Sequence, residues 1–248
     1  MRRLSVWPLV GLPEVRPGDD LAAMIVAASA EEPLLDRDVV VIAQKIVSKS
    51  EGRIVALSSV TPGERALRMA EEAGKDPRAL EVVLRETKNI VRWQHGVLIS
   101  ETHHGFVCAN AGVDRSNAGA PDTVVVLPVD PDASARRLRA DLKKRTGRDV
   151  AVLITDTFGR AWREGHMNVV IGMAGLPALL RYVGQFDPEG YELRVTEIAV
   201  GDEIAATAEL VMGKLDRVPV AVVRGIDLAS SDDTAQEYIR PKEKDLFR

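Results

Sequence analysis

Four short apolar runs, rich in β-branched residues, punctuate this chain: Asp38-Val39-Val40-Val41-Ile42-Ala43, Thr123-Val124-Val125-Val126-Leu127, Val150-Ala151-Val152-Leu153-Ile154 and Val218-Pro219-Val220-Ala221-Val222-Val223. Each is short and continuous, the signature of a strand buried on both faces. Pro219 has no N–H to give a ladder, so it places the last run at a sheet edge or itself at a strand start. Between these runs the apolar residues recur at helical spacing. Leu21, Met24, Ile25 and Ala28 predict a helix over 20–30. Ala135, Leu138 and Leu142 predict another over 131–145, with Asp130 as N-cap and Pro131 at the first helical position. A third, over 201–214, carries Ile204, Ala205, Ala208, Leu210 and Val211, with Gly213 to end it and Lys214 just beyond. A fourth, over 62–75, is stopped by Gly74 and the Asp76-Pro77 step. The alternation predicts a mixed α/β or α+β fold, with mixed sheets flanked by helices.

No internal repeat, linker or compositional break divides the chain. The expectation is a single domain over 1–248, built as one unit or as two interleaved subdomains, with a charged, mobile tail from Ser230 onward. At 248 residues it can bury a substantial core. The net charge of −4 gives no sign of nonspecific nucleic-acid binding. Cys108 is the single cysteine, which excludes an internal disulfide and fits a reducing compartment. Apolar runs stay well short of the roughly 18 residues of a membrane helix, and Arg2-Arg3 is followed by no apolar signal core. These features predict a cytoplasmic protein without membrane or nucleic-acid partners.

Two Asp-bearing segments carry the chemistry. Ala109 to Gly119 reads Ala-Asn-Ala-Gly-Val-Asp-Arg-Ser-Asn-Ala-Gly, and Ile154 to Arg163 reads Ile-Thr-Asp-Thr-Phe-Gly-Arg-Ala-Trp-Arg. Each places a carboxylate after an apolar stretch and then breaks into small polar residues, glycine and arginine. Asp114 and Asp156 are thereby expected at strand ends, one near the other. Hard oxygens there suit Mg²⁺ or Mn²⁺, and arginines suit phosphate. Asp156-Thr157 has two readings: a carboxylate–hydroxyl metal pair, or the cap of a following helix. Lys45 and Lys49 follow a strand and, if the segment turns helical, face one ligand a turn apart.

Other features point to structure. The basic residues Arg136, Arg137, Arg139, Lys143, Lys144 and Arg145 read as a solvated helix face. His103-His104 reads as surface or hydrogen-bonding, and Cys108 as inert core. Walker, dinucleotide-binding and zinc motifs are absent.

In chain order, Gly11-Leu12-Pro13-Glu14, Lys45-Ile46-Val47-Ser48-Lys49, Glu101-Thr102 through Asn117, Leu127-Pro128-Val129-Asp130-Pro131-Asp132, Thr155-Asp156-Thr157-Phe158-Gly159-Arg160-Ala161-Trp162-Arg163 and Val222-Val223-Arg224-Gly225 resemble the coenzyme F420-0:L-glutamate ligase family. The resemblance spans roughly residues 5 to 227. It implies a homodimer with a mixed α/β fold and no phosphate loop, ligating L-glutamate to F420-0 with GTP, Mn²⁺ or Mg²⁺, and K⁺. It also implies the standalone form, without a C-terminal flavin-reductase-like domain. By resemblance, Leu12, Pro13, Glu14, Val15, Gln44, Lys49, Asn117, Met212, Gly213 and Lys214 contact GTP. Asp114, Asp156 and Thr157 hold metal, and Lys49, Arg160 and Arg163 complement transferring charge. Family members vary at the position of Lys214, where the resemblance places a neutral polar residue in others, so the resemblance gives this lysine no direct metal role. Two further readings keep the same nucleotide site: a γ-glutamyl ligase for another carboxylate such as a folate, and a GTP- and metal-binding regulator without catalysis. No general base is identified.

Overall fold

The computed structural model describes residues 3–246. In chain order the elements are β1 (Ser5–Pro8), α1 (Leu21–Ala28), β2 (Val39–Ala43), α2 (Gln44–Ser50), β3 (Ile54–Ala56), α3 (Glu64–Ala73), α4 (Pro77–Glu86), β4 (Thr87–Gln94), β5 (Val97–Thr102) and β6 (Val107–Ala109). They continue with β7 (Thr123–Val125), α5 (Pro131–Thr146), β8 (Ala151–Arg160), β9 (Arg163–Ala174), β10 (Leu179–Arg181), β11 (Glu197–Ala199), α6 (Val200–Met212) and β12 (Val220–Arg224). The fold is α+β.

The largest sheet runs β1-β12-β2-β8-β9, with β2 and β8 parallel and the other neighbours antiparallel. Val39, Val40, Val41 and Ile42 are all buried, as expected of a strand covered on both faces. Helices α5 and α6 both pack on β8 and β9, and α6 extends across β1 and β12. The Asp130 side chain accepts the Ala133 N–H at 2.8 Å and starts α5 as predicted. Gly172 permits the close approach of α5 to β9, because a Cβ there would lie 2.4 Å from the Pro131 carbonyl oxygen. Buried Asp132 ties α5 to β9 and to the tail by accepting the N–H groups of Met173 at 2.9 Å and Ala235 at 3.0 Å. Pro219 lies just before β12, which is interior to the sheet, so the proline marks a strand start rather than an edge.

Smaller sheets, β3-β7 and β4-β5-β6, pack with α3 and α4 around two apolar clusters, one containing Leu57, Val82 and Val124, the other Leu80, Val83 and Leu98. The Asp76-Pro77 step does end α3, but it also begins α4. The Asp76 carboxylate caps the Arg78 N–H at 2.9 Å and Pro77 takes the first helical turn.

The expectation of a mobile tail is corrected across 235–239. Ala235 is fully buried, and the Tyr238 hydroxyl donates to the Ala178 carbonyl at 3.0 Å. Phe247 and Arg248, the end of that predicted tail, lie outside the described residues, as do Met1 and Arg2. Among the described residues no helix is long and apolar enough to cross a membrane.

Candidate nucleotide and metal site

β2 ends at Ala43, opposite Thr155, but its parallel neighbour β8 runs on to Arg160, so Asp156 lies mid-strand rather than at the strand end expected. From that point the chain turns into α2 on one side and continues as strand on the other. Gln44 and Lys45 therefore open α2 beside Asp156, which follows Thr155 on β8. Asp156 and Thr157 do not cap a helix, because β8 runs unbroken through Arg160 and pairs Asp156 with Val169 and Thr157 with Asn168 on β9. The helix-cap reading is excluded; the strand holds both side chains in place.

Asp114 arrives from a different region. It follows a 3₁₀ turn at Asn110–Gly112 and forms a backbone bridge with Val125 at the end of β7, with N–H···O distances of 3.0 and 2.8 Å. Gly112, at φ +71, allows that turn to sit on Leu127, where a Cβ would meet the leucine side chain at 2.8 Å. One Asp114 oxygen accepts the Ser116 N–H at 2.7 Å; the other lies 2.7 Å from the Lys45 ammonium and accepts the Ser116 hydroxyl at 3.1 Å. The Lys45 ammonium also donates to Ser116 Oγ at 2.7 Å.

The two carboxylates have divergent environments. Burial pushes Asp156 up to about 6; the Thr157 N–H opposes this, the negative charge of Asp114 adds to it, and the ammoniums of Lys45 and Lys214 oppose it. Burial also acts to raise Asp114, but Lys45 and Ser116 outweigh it and hold that carboxyl below the usual range. The Asp114 charge also acts on Asp156, which makes this carboxylate pair a candidate place for a cation. Cys108 is pushed up to about 12 by burial and then by the Asp156 charge, so it stays an inert thiol.

On the far side of Asp156, the Thr157 hydroxyl donates to Asn168 Oδ1 at 2.8 Å and accepts from the Lys214 ammonium at 2.7 Å. Lys214 also lies 2.8 Å from Glu209 Oε1, while Asn168 Nδ2 donates to Glu209 Oε2 at 2.7 Å.

The remaining predicted residues lie in four places. Gln44 and Lys49 are both buried on α2. Gln44 accepts the Ser48 hydroxyl, but its Nε2 is buried without a partner. Lys49 is paired with the exposed carboxylate of Glu14, which brings the Gly11–Val15 loop against α2. In that loop Val15 is core, Leu12 packs against the core, and Pro13 lines a groove of about 600 Å³ with Val10, Ala23, Met24 and Ala27. Asn117 is exposed, three residues past Asp114. Met212 is buried, Gly213 ends α6 and Lys214 reaches Thr157. Arg160 and Arg163 face each other at the β8–β9 hairpin tip, outside the aspartate cluster. Arg160 is four residues past Asp156, roughly 13 Å along a strand.

Sequence reasoning misses Ser116, Asn168 and Glu209, and it singles out Lys45 without assigning it to the site. The Asp-x-Ser spacing of 114 and 116 is a local turn signal that sequence reading can detect. Asn168 and Glu209 give no such signal.

The donors around Asp114 and Asp156 are all hard oxygens. Among the described residues no group of three or more His, Cys, Asp or Glu side chains could hold a metal ion. Mg²⁺-type sites commonly use one or two carboxylates completed by substrate phosphates and water, so the donor set fits such an ion in company with a nucleotide.

The model of the family described as F420-0:Gamma-glutamyl ligase matches residues 10–225. The chain belongs to this family. Relatives named Coenzyme F420:L-glutamate ligase include one from Methanopyrus kandleri, 48% identical over 99% of this chain and 98% of its own length. That of Methanothermobacter thermautotrophicus is 45% identical over 99% of both chains, and that of Methanocaldococcus jannaschii 41% identical over 88% of both. The F420-0:gamma-glutamyl ligase match contains the whole aspartate cluster, from the Gly11–Val15 loop to Lys214.

Proposed function

We propose that this protein joins L-glutamate to F420-0 at the expense of GTP, through an acyl phosphate, and extends the product with γ-linked glutamate. Family membership supports the ligase chemistry. The observation that supports the site is Asp156, held within β8 just past the point where β2 ends, acted on by the charge of Asp114 and flanked by the ammoniums of Lys45 and Lys214. Such a cluster suits a polyanion whose charge rises and moves during reaction.

The acceptor carboxylate attacks the γ-phosphorus of GTP, forming a C–O–P linkage as the bond to the GDP oxygen breaks. The glutamate amine then attacks the acyl carbon, forming the amide, losing a proton and expelling phosphate. In a second round the side-chain carboxylate of the added glutamate is the one activated. Asp114 and Asp156 would hold a divalent cation, Mn²⁺ or Mg²⁺, beside Thr157. Bound there, such an ion would supply positive charge to the phosphate oxygens. Lys49 and Gln44 bind the nucleotide from α2: the buried, unpartnered Gln44 Nε2 is a donor awaiting an acceptor. The Leu12–Val15 loop, Asn117 and the Met212–Lys214 turn border the same ligand, and Lys49 exchanges Glu14 for phosphate. Arg160 and Arg163, on the hairpin, complement charge only if that hairpin closes over the site. K⁺, a homodimeric assembly and a cytoplasmic setting belong to the same reading.

Mass spectrometry of F420-0 incubated with protein, GTP, L-glutamate and Mn²⁺ tests the proposal. A gain of one or more glutamyl units supports it and gives the tail length. No gain with F420-0 but a gain with a folate acceptor assigns a different carboxylate. GTP binding without GDP release on any acceptor leaves a nucleotide-binding regulator.

A further inference from the structure

Lys214 sits one residue past Gly213, which ends α6 with φ +61. With φ +61 and ψ −174 the Gly213 backbone lies in a region open essentially to glycine alone, so the turn that aims Lys214 needs glycine. The ammonium contacts Thr157 Oγ1 at 2.7 Å and Glu209 Oε1 at 2.8 Å. The Thr157 proton is committed to Asn168 Oδ1, so its oxygen offers only lone pairs to Lys214. Asn168 Nδ2, donating to Glu209 Oε2, fixes the carboxylate in turn. A hydroxyl oxygen and a carboxylate oxygen, both oriented by a third residue, make a seat for a hard cation, and here the cation is covalently attached. A metal ion bound to those same oxygens would lie within van der Waals contact of the ammonium, with like charge.

We infer that Lys214 is a tethered cation that takes the Thr157–Glu209 side of the site, so that one divalent ion, at Asp114 and Asp156, accompanies each nucleotide. A neutral side chain at 214 opens that seat to a second ion. The inference rests on the metal reading above, and reserves the Thr157 hydroxyl for the ammonium rather than the metal.

The test counts Mn²⁺ by electron paramagnetic resonance, per bound non-hydrolysable GTP analogue, in the unsubstituted protein, Lys214→Gln and Lys214→Arg. The Lys214 side chain is 58% exposed, so all three are expected to fold, with melting curves as the check. The expected counts are one, two and one. Equal counts in the unsubstituted protein and Lys214→Gln, with Mn²⁺ bound in both, overturn the tethered cation and leave the metal reading standing. No protein-bound Mn²⁺ in either overturns both.

Discussion

Replacing Asp156 by asparagine separates stability from function, because the same burial that makes this carboxylate useful makes it costly. Its ordinary carboxyl value of 3.8 is raised to about 6. A folded-state value above the unfolded one means the associated stability is fully present below 3.8 and is lost as pH rises through 6. Each tenfold change in a protonation equilibrium corresponds to about 1.4 kcal/mol, so at neutral pH the ionised group costs up to ~3 kcal/mol relative to its protonated form. Roughly half of that penalty develops between about pH 5 and 7.5. Asparagine is nearly isosteric and does not ionise. Without nucleotide or metal, Asp156→Asn is expected to gain ~1–2 kcal/mol over the unsubstituted protein between those two pH values. Urea denaturation of both proteins at each pH measures this directly, and ligase activity should fall by at least ~100-fold, as for loss of a charge-stabilising group. A stability difference that does not change with pH would refute the burial argument. Retained activity would refute the metal role.

Three further outcomes follow from the same geometry. Lys49→Ala should weaken GTP binding by ~10–100-fold, the worth of a charge-assisted hydrogen bond, in a calorimetric titration; an unchanged affinity removes Lys49 from the site. Lys45→Met should let burial prevail at Asp114, lifting that carboxyl above its ordinary value in a ¹³C-detected NMR titration; if it stays low, Lys45 is not its main counter-charge. Gly172→Ala forces a Cβ to within 2.4 Å of the Pro131 carbonyl oxygen, where backbone must move. The cost should be ~3 kcal/mol by chemical denaturation, and a neutral result would mean that the start of α5 yields freely.

Local patterning reached far into this molecule. Val39–Ala43, Thr123–Val125, Ala151–Ile154 and Val220–Val223 form strands because short β-branched runs gain most by burial on both faces. The α5 cap was legible because the Asp130 side chain satisfies a backbone N–H only three residues on, at Ala133. The α4 helix was hidden because Asp76-Pro77 is equally good as a stop and as a start, and only packing of α4 against α3 decides. β4, β5 and β6 carry mixed polar and apolar residues with bulges, which erases a clean period of two.

In the site, the two aspartates and the family motifs around them were readable as contiguous strings, since each motif's chemistry lies within a few residues. Their pairing depended on tertiary structure. Asp114 meets Lys45 across 69 positions of chain, and Lys214 meets Thr157 across 57, so no local pattern contains either contact. Whether Asp156 and Thr157 cap a helix or project from a strand was likewise left open by their side chains, because the same oxygens serve both. Pairing with β9 settled it, because a strand held on that edge cannot turn into a helix. Sequence thus determined which groups this protein possesses and which elements present them. The three-dimensional packing decided which charges are neighbours, and through burial it set the protonation of Asp156 and the cation that Lys214 supplies.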